Sequence, residues 1–165
     1  MQIYSKYYSP IGEMLLASDE GGLIGAWFVG QKYYASVLQS SATAGSSMFI
    51  DEAACWLNDY FSGIRPSYLP QLSFIGSPFR LNVWKLLLTI PYGQTTSYKA
   101  LSDAVAAQMS LPQMSAQAVG GAVGHNPISI IVPCHRVLSA TGNLTGYAGG
   151  LDRKEYLLRL EGAIR

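Results

Sequence analysis

Between Arg65 and Gly76 the hydrophobic pattern of this 165-residue chain changes its period. Upstream, apolar residues come in strand-length runs separated by turn clusters. Residues 2–8 and 13–18 flank Ser9-Pro10-Ile11-Gly12, and Leu23 to Val29 follows Asp19-Glu20-Gly21-Gly22, which predicts a hairpin extended by a third strand. Ser40 to Ser47 reads as a polar loop. Ile50, Ala53, Ala54, Leu57, Tyr60 and Phe61 then recur at helical spacing, with Asp51 and Glu52 in the first turn, where the helix dipole favours acids. Downstream the spacing is helical. Ser77-Pro78 is a start signal for a helix carrying Phe79, Val83, Trp84, Leu87 and Leu88, which Ile90-Pro91-Tyr92-Gly93 stops. Thr95-Thr96-Ser97 caps a second helix with Tyr98, Leu101, Ala104 and Val105 on one face, and Ser115 opens a third from Ala116 to Gly124. Asp152 is expected to cap a last helix with Tyr156, Leu157, Leu158 and Leu160 apolar. Strands followed by helices, divided by a connector holding Pro66 and Pro70, predict an α+β chain of two domains, 1–76 and 77–165.

Charge divides along the same line. Residues 1–79 hold three basic against six acidic side chains, residues 80–165 eight against four, so an anionic partner is expected at the second half. Cys55 and Cys134 are the only cysteines, which excludes a disulfide framework and points to a reducing, cytoplasmic setting. The amino terminus shows no basic segment leading into an apolar one, and no apolar run reaches the roughly 18 residues of a membrane span. With two histidines and no Cys or His pair at ligand spacing, no metal site and no cofactor are expected.

The chemistry concentrates in Ile130-Ile131-Val132-Pro133-Cys134-His135-Arg136-Val137. One reading is a buried strand whose Cys is a small hydrophobe. The other is a reactive thiol, whose pKa falls when cationic or hydrogen-bonding groups surround it. The segment Ala116 to Gly124 is also unusual, since Gly120, Gly121 and Gly124 each cost a helix about 1 kcal/mol relative to Ala. Its small residues serve either close helix packing or the approach of something large, such as a nucleic-acid backbone. With the helix before it, this segment forms a helix-turn-helix pattern.

Taken together, Asn126-Pro127, Pro133-Cys134-His135-Arg136, Gly146-Tyr147-Ala148-Gly149-Gly150 and Leu160-Glu161-Gly162, with Ile90-Pro91-Tyr92-Gly93 and Ser97-Tyr98, resemble the O6-alkylguanine-DNA alkyltransferases. The similarity is strong over residues 77–162. It implies an RNase H-like N-terminal sheet domain with a helix, and a mainly helical, winged-helix-like C-terminal domain. It also implies DNA repair without turnover, the alkyl group passing from O6 of guanine, and from O4 of thymine, to the protein's own cysteine. The partner is double-stranded DNA holding the alkylated base, bound by a monomer.

By that resemblance Cys134 is the nucleophile, His135 its base through a water, and Glu161 orients His135, while Asn126 organises the turn beneath. The target nucleotide is rotated out of the duplex into a pocket. There Tyr98, Tyr147 and Ala148 form the walls, and the carbonyls of Cys134 and Val137 take the guanine amine. Gln117, Ala118, Gly121 and Ala122 are expected against the minor groove, with Arg136 also among the DNA-binding residues although it is better suited to tying the active-site segment to its surroundings. Gln117 departs from the pattern, because the family carries an arginine there to fill the gap left by the flipped nucleotide; a glutamine has neither its charge nor its planar stacking. Two other functions compete: a lesion-binding relative that transfers nothing, and a Cys-His hydrolase or thiol redox enzyme.

Overall fold

A computed structural model describes residues 1–165, which form two compact units: Met1–Ile75 with Pro127–Ile131, and Gly76–Asn126 with Val132–Arg165. The first unit is built on a four-stranded sheet. Strands β1 (Ile3–Ser9), β2 (Gly12–Ser18) and β3 (Leu23–Phe28) are successive antiparallel neighbours. Ser9 makes the first turn by donating from Oγ to Gly12 O at 2.7 Å, and Asp19 makes the second by accepting from the Gly21 and Gly22 amides at 2.8 and 3.2 Å. A fourth strand, β4 (Thr43–Ala44), runs parallel to β1 inside the segment that composition reads as a loop. Main-chain bonds from Thr43 N to Gln2 O and Gly45 N to Tyr4 O hold it, so no side-chain pattern announces it.

Helix α1 (Met48–Phe61) is capped by Ser47, which accepts from Ile50 N, and buries Ile50, Ala53, Trp56, Leu57 and Tyr60. Leu15, Ala17, Ile24 and Trp27 form a cluster with Tyr4, Ala35, Val37 and Leu38. Every residue of β3 is buried. Its outer edge is occupied by Gln71 to Ser73 and by Pro127 to Ser129, bonding at Leu23 and Ala26, which removes an open template for strand pairing.

The second unit contains α2 (Pro78–Leu87), β5 (Thr96–Ser97), α3 (Tyr98–Gln108), α4 (Ala116–Gly124), β6 (Val137–Leu138) and α5 (Leu151–Leu160). Ser77, Ser97 and Ser115 cap α2, α3 and α4, each accepting from the amide three residues on and each contributing about 1 kcal/mol. Helix α4 buries Val119, Ala122 and Val123, and the Trp84 indole of α2 donates to Ala122 O at 2.8 Å. No helix is long and apolar enough to cross a membrane.

Two expectations are corrected here. Helix α5 starts from Gly150, whose φ of 96° turns the chain where other residues would be strained, and Asp152 lies inside the first turn. Its buried stripe also differs: Tyr156 is exposed, whereas Lys154, Leu157 and Leu158 are buried, and Glu161 follows in the same register. The run Ile130 to Val137 is not a strand either. Ile131 N bonds back to Ser129 O, Ile130 takes a φ of 71°, and the chain then tightens into a single 3-10 turn, Cys134–Arg136, before β6.

Candidate active site

The reactive segment is shaped by main-chain and amide bonds. Asn126 Nδ2 donates to Val132 O at 2.9 Å, joining the two ends of the 127–131 excursion. Cys134 N then reaches Val132 O at 2.8 Å, Arg136 N reaches Pro133 O at 3.0 Å, and Val137 N reaches Cys134 O. Parallel pairing of β6 with β5, Thr96 to Val137 and Ser97 to Leu138, places this segment beside the start of α3.

Glu161 is the hub of a buried charge network. His135 Nε2 donates to its Oε2 at 2.6 Å, Arg136 Nε to Oε1 at 2.8 Å, Arg136 Nη2 to Oε2 at 3.1 Å, and Gly93 N to Oε1 at 3.1 Å. Burial by itself would raise the pKa of Glu161, but its bonds to His135 and Arg136 outweigh burial and bring it down to about 2. A carboxylate held ionised has no proton to give, so His135 carries its proton on Nε2. Burial pushes the pKa of His135 below the usual histidine range, against the pull of Glu161. The ring is therefore neutral, and Nδ1 keeps its lone pair, buried and without a hydrogen-bond partner in the protein. That is the protonation state a general base requires.

Cys134 is buried at 6 % exposure and free of disulfide. The sequence leads one to expect a depressed thiol pKa. Instead burial pushes it up, and the Asn126 hydrogen bond, the Lys154 charge and a backbone bond only partly offset that. The resting group is a thiol, which needs a base.

The expected wall residues sit at the start of α3, in β6 and in the loop before α5. Tyr98 donates from its hydroxyl to Thr145 O at 3.3 Å or Gly146 O at 3.4 Å, and burial, then the Cys134 charge, raise its pKa. Tyr147 meets His135 edge-on with ring centroids 6.5 Å apart. Ala148 is half-buried, and Val137 is fully buried with its carbonyl turned to Lys154.

The residues assigned to DNA divide. Gln117, Ala118 and Gly121 are exposed on α4, together with Ala116, and a side chain at Gly121 or Gly124 would meet no neighbour. Close helix packing is therefore not what Gly121 and Gly124 serve. Ala122 is buried against α2 and does not share that face, because a helix turns about 100° per residue. Arg136 does not lie on that exposed face. It is buried at 7 % exposure, its donors go to Glu161 and to Ile90 O at 2.6 Å, and its guanidinium lies 5.7 Å from the Tyr92 ring centroid. No group of three or more His, Cys, Asp or Glu side chains is arranged to hold a metal ion.

Two family models match the chain: 6-O-methylguanine DNA methyltransferase, DNA binding domain, over residues 78–163, and 6-O-methylguanine DNA methyltransferase, ribonuclease-like domain, over residues 2–67. A methylated-DNA–protein-cysteine methyltransferase of Mycobacterium tuberculosis is 43% identical over 96% of this chain and 91% of its own. One of Methanosarcina acetivorans is 44% identical over 97% of this chain and 98% of its own. The chain belongs to the methylated-DNA–protein-cysteine methyltransferase family. Among solved structures, the M. tuberculosis OGT in complex with DNA is similar with a TM-score of 0.85 at 41% identity, covering 98% of this chain and 93% of that one. An O6-methylguanine methyltransferase crystal structure from the same organism gives 0.83 at 43%, covering 99% and 94%.

The DNA-binding-domain match spans the Cys134 site and α4 together. Sequence reasoning missed Lys154, fully buried next to Cys134. Its signal was present: Lys154, Leu157, Leu158 and Glu161 stand at i, i+3, i+4 and i+7, so one helix stripe carries two charges into the core.

Proposed function

We propose that this protein repairs DNA by taking an alkyl group from O6 of guanine onto the sulfur of Cys134, once per molecule. The observation that carries this reading is the neutral His135, fixed by Glu161 through Nε2 and holding an unpartnered Nδ1 next to a buried thiol in the chain. A water joining Nδ1 to the thiol relays the proton from sulfur to imidazole. The thiolate attacks the alkyl carbon, the carbon–oxygen bond breaks, and guanine leaves with the electron pair. The Tyr98 hydroxyl, which reaches across to residues 145 and 146, would donate toward the departing base once that base displaces it from the carbonyls. The resulting thioether has no thiolate to regenerate, so each molecule acts once. O4-alkylthymine presents a comparable alkyl ether and is a second substrate.

Cys134 is too enclosed for a base that stays in the duplex, so the nucleotide must be extruded, costing a few kcal/mol of unstacking. The lean exposed face of α4 suits minor-groove approach, where bulk is excluded and backbone contact dominates. Asn126 supports the turn that presents the thiol. The division of labour follows the sequence halves, 77–165 binding DNA and accepting the alkyl group and 1–76 forming the sheet domain, except that Pro127–Ile131 belongs to the first compact unit. The protein works as a monomer, since one site on one chain completes the reaction, and its two free cysteines suit the reducing cytoplasm.

The test is the intact mass after incubation with an oligonucleotide containing O6-methylguanine. Addition of one methyl group, once, and none in Cys134→Ser, is the expected result. An unchanged mass would point to a lesion-binding protein, and repeated turnover to a hydrolase; either rejects the proposal.

A further inference from the structure

Lys154 is fully buried, yet its ammonium has no carboxylate partner. It donates to three main-chain carbonyls: Val137 O at 2.6 Å, Thr145 O at 2.8 Å and Gly146 O at 3.2 Å. An ammonium has three N–H groups, so its donor capacity is used in full. These carbonyls belong to different parts of the site. Val137 follows the 3-10 turn that bears Cys134, whereas Thr145 and Gly146 begin the loop that carries Tyr147 and Ala148. The Tyr98 hydroxyl from α3 lies within reach of the same two loop carbonyls, at 3.3 and 3.4 Å, and donates to one or the other. The loop is thus held by a buried cation on α5 and by a half-exposed hydroxyl on α3.

A carbon chain ending in a buried cation is an expensive way to brace a loop, because the ammonium gives up its hydration and only its three carbonyl bonds compensate. We infer that Lys154 is a positioning residue for alkyl transfer: its ammonium locks the Val137 carbonyl and the 145–146 loop into one rigid receptor for the alkylated base, and keeps it assembled when Tyr98 releases the loop. This deepens the function proposed above and rests on it.

The lock is sensitive to protonation. Burial lowers the pKa of Lys154 to about 8, against which only the Cys134 charge acts. The groups that face it are Cys134, which it helps to ionise, His135, whose protonation it disfavours, and Tyr98 across the shared carbonyls. As pH rises, thiol ionisation speeds the reaction, while loss of the ammonium proton removes one of three bonds and slows it. The neutral amine is the form favoured above about 8, so the falling limb lies on the alkaline side.

The experiment is the single-turnover rate of alkyl uptake against pH for the wild type, Lys154→Met and Lys154→Arg, using saturating O6-benzylguanine as free base and then an O6-methylguanine duplex. The wild type is expected to show a maximum with a falling alkaline limb. Lys154→Met should lose about a hundredfold in rate with both substrates, as misplaced receptors do, and show no falling limb. Lys154→Arg, whose guanidinium stays charged, should retain more rate and also lose the limb. If Lys154→Met fails to fold, Lys154→Arg decides alone. A wild type without the limb, or a folded variant that keeps it or keeps the wild-type rate, overturns the inference. Absence of uptake by the wild type at every pH instead overturns the function on which it rests.

Discussion

The two cysteines stand in opposite settings. Cys55 lies exposed on α1 of the first unit, while Cys134 is enclosed in the second with a histidine, an arginine, a lysine and a glutamate also buried there. The interiors differ in the same way. The first unit buries apolar side chains and a few neutral polar ones, Gln2, Ser18, Gln31 and Ser129, whereas the second buries His135, Arg136, Lys154 and Glu161. Charges enter an interior only when paired or fully hydrogen-bonded, and at a cost in stability that apolar residues of similar volume would avoid. In the function proposed above, the charges gather around the less accessible thiol, and accessibility is separated from reactivity.

The largest expected effect concerns the base. His135→Ala should slow alkyl transfer by about 10² to 10⁴ near neutral pH, measured in single turnover. Because burial holds the Cys134 pKa above its ordinary value, the deficit should narrow as pH rises and the thiol ionises unaided. An undiminished rate would reduce the second unit's charge network to scaffolding. Glu161→Gln comes next. It leaves Arg136 buried without a carboxylate and should cost roughly 3–5 kcal/mol in denaturant unfolding.

The same variant tests the sign of the acid response. The folded-state pKa of Glu161 lies below its unfolded value, so its contribution is complete above about 4.5 and lost as pH falls through about 2. The wild type should lose stability over that window more steeply than Glu161→Gln does. Equal slopes would mean that the carboxylate is not held ionised.

Leu57→Ala offers the contrast in the first unit. Leu57 is fully buried in an apolar setting, so truncation should cost about 2–5 kcal/mol of stability and leave the transfer rate of the folded protein unchanged. A rate loss comparable to that of His135→Ala would erase the distinction between the two interiors. The smallest effect is expected at exposed Gln117, where Gln117→Arg should tighten duplex DNA binding roughly fivefold at fixed salt. No change would mean that the charge and planar stacking a glutamine lacks do not matter at this position.

How much of this was legible depended on whether a local rule governed the residues. Helices α2, α3 and α4 were readable because serine caps and helical spacing act within a turn or two, and Ser77, Ser97 and Ser115 do accept the capping bonds. Strand β4 was not, since backbone bonds to residues 2 and 4 hold it. Cys134, His135, Glu161 and Asn126 could be named from their motifs, but their states could not. The neutral ring of His135 and the raised thiol pKa come from burial by residues distant in sequence. Ala122 was assigned outward and packing turned it inward, while Arg136, read both as a DNA-binding residue and as a tie for the active-site segment, is buried on Glu161 and Ile90 O. Lys154 was overlooked because lysine is ordinarily a surface residue, although its register with Leu157 and Leu158 placed it on the buried stripe.

The most direct measurement is to locate the transferred group. After reaction with an O6-methylguanine duplex, the protein is digested and the peptides containing Cys55 and Cys134 are sequenced by mass spectrometry. The account predicts a methyl thioether on Cys134 alone, the buried thiol in preference to the exposed one. Methyl on Cys55, or shared between the two, would show that accessibility governs the reaction and would contradict the assignment of the site.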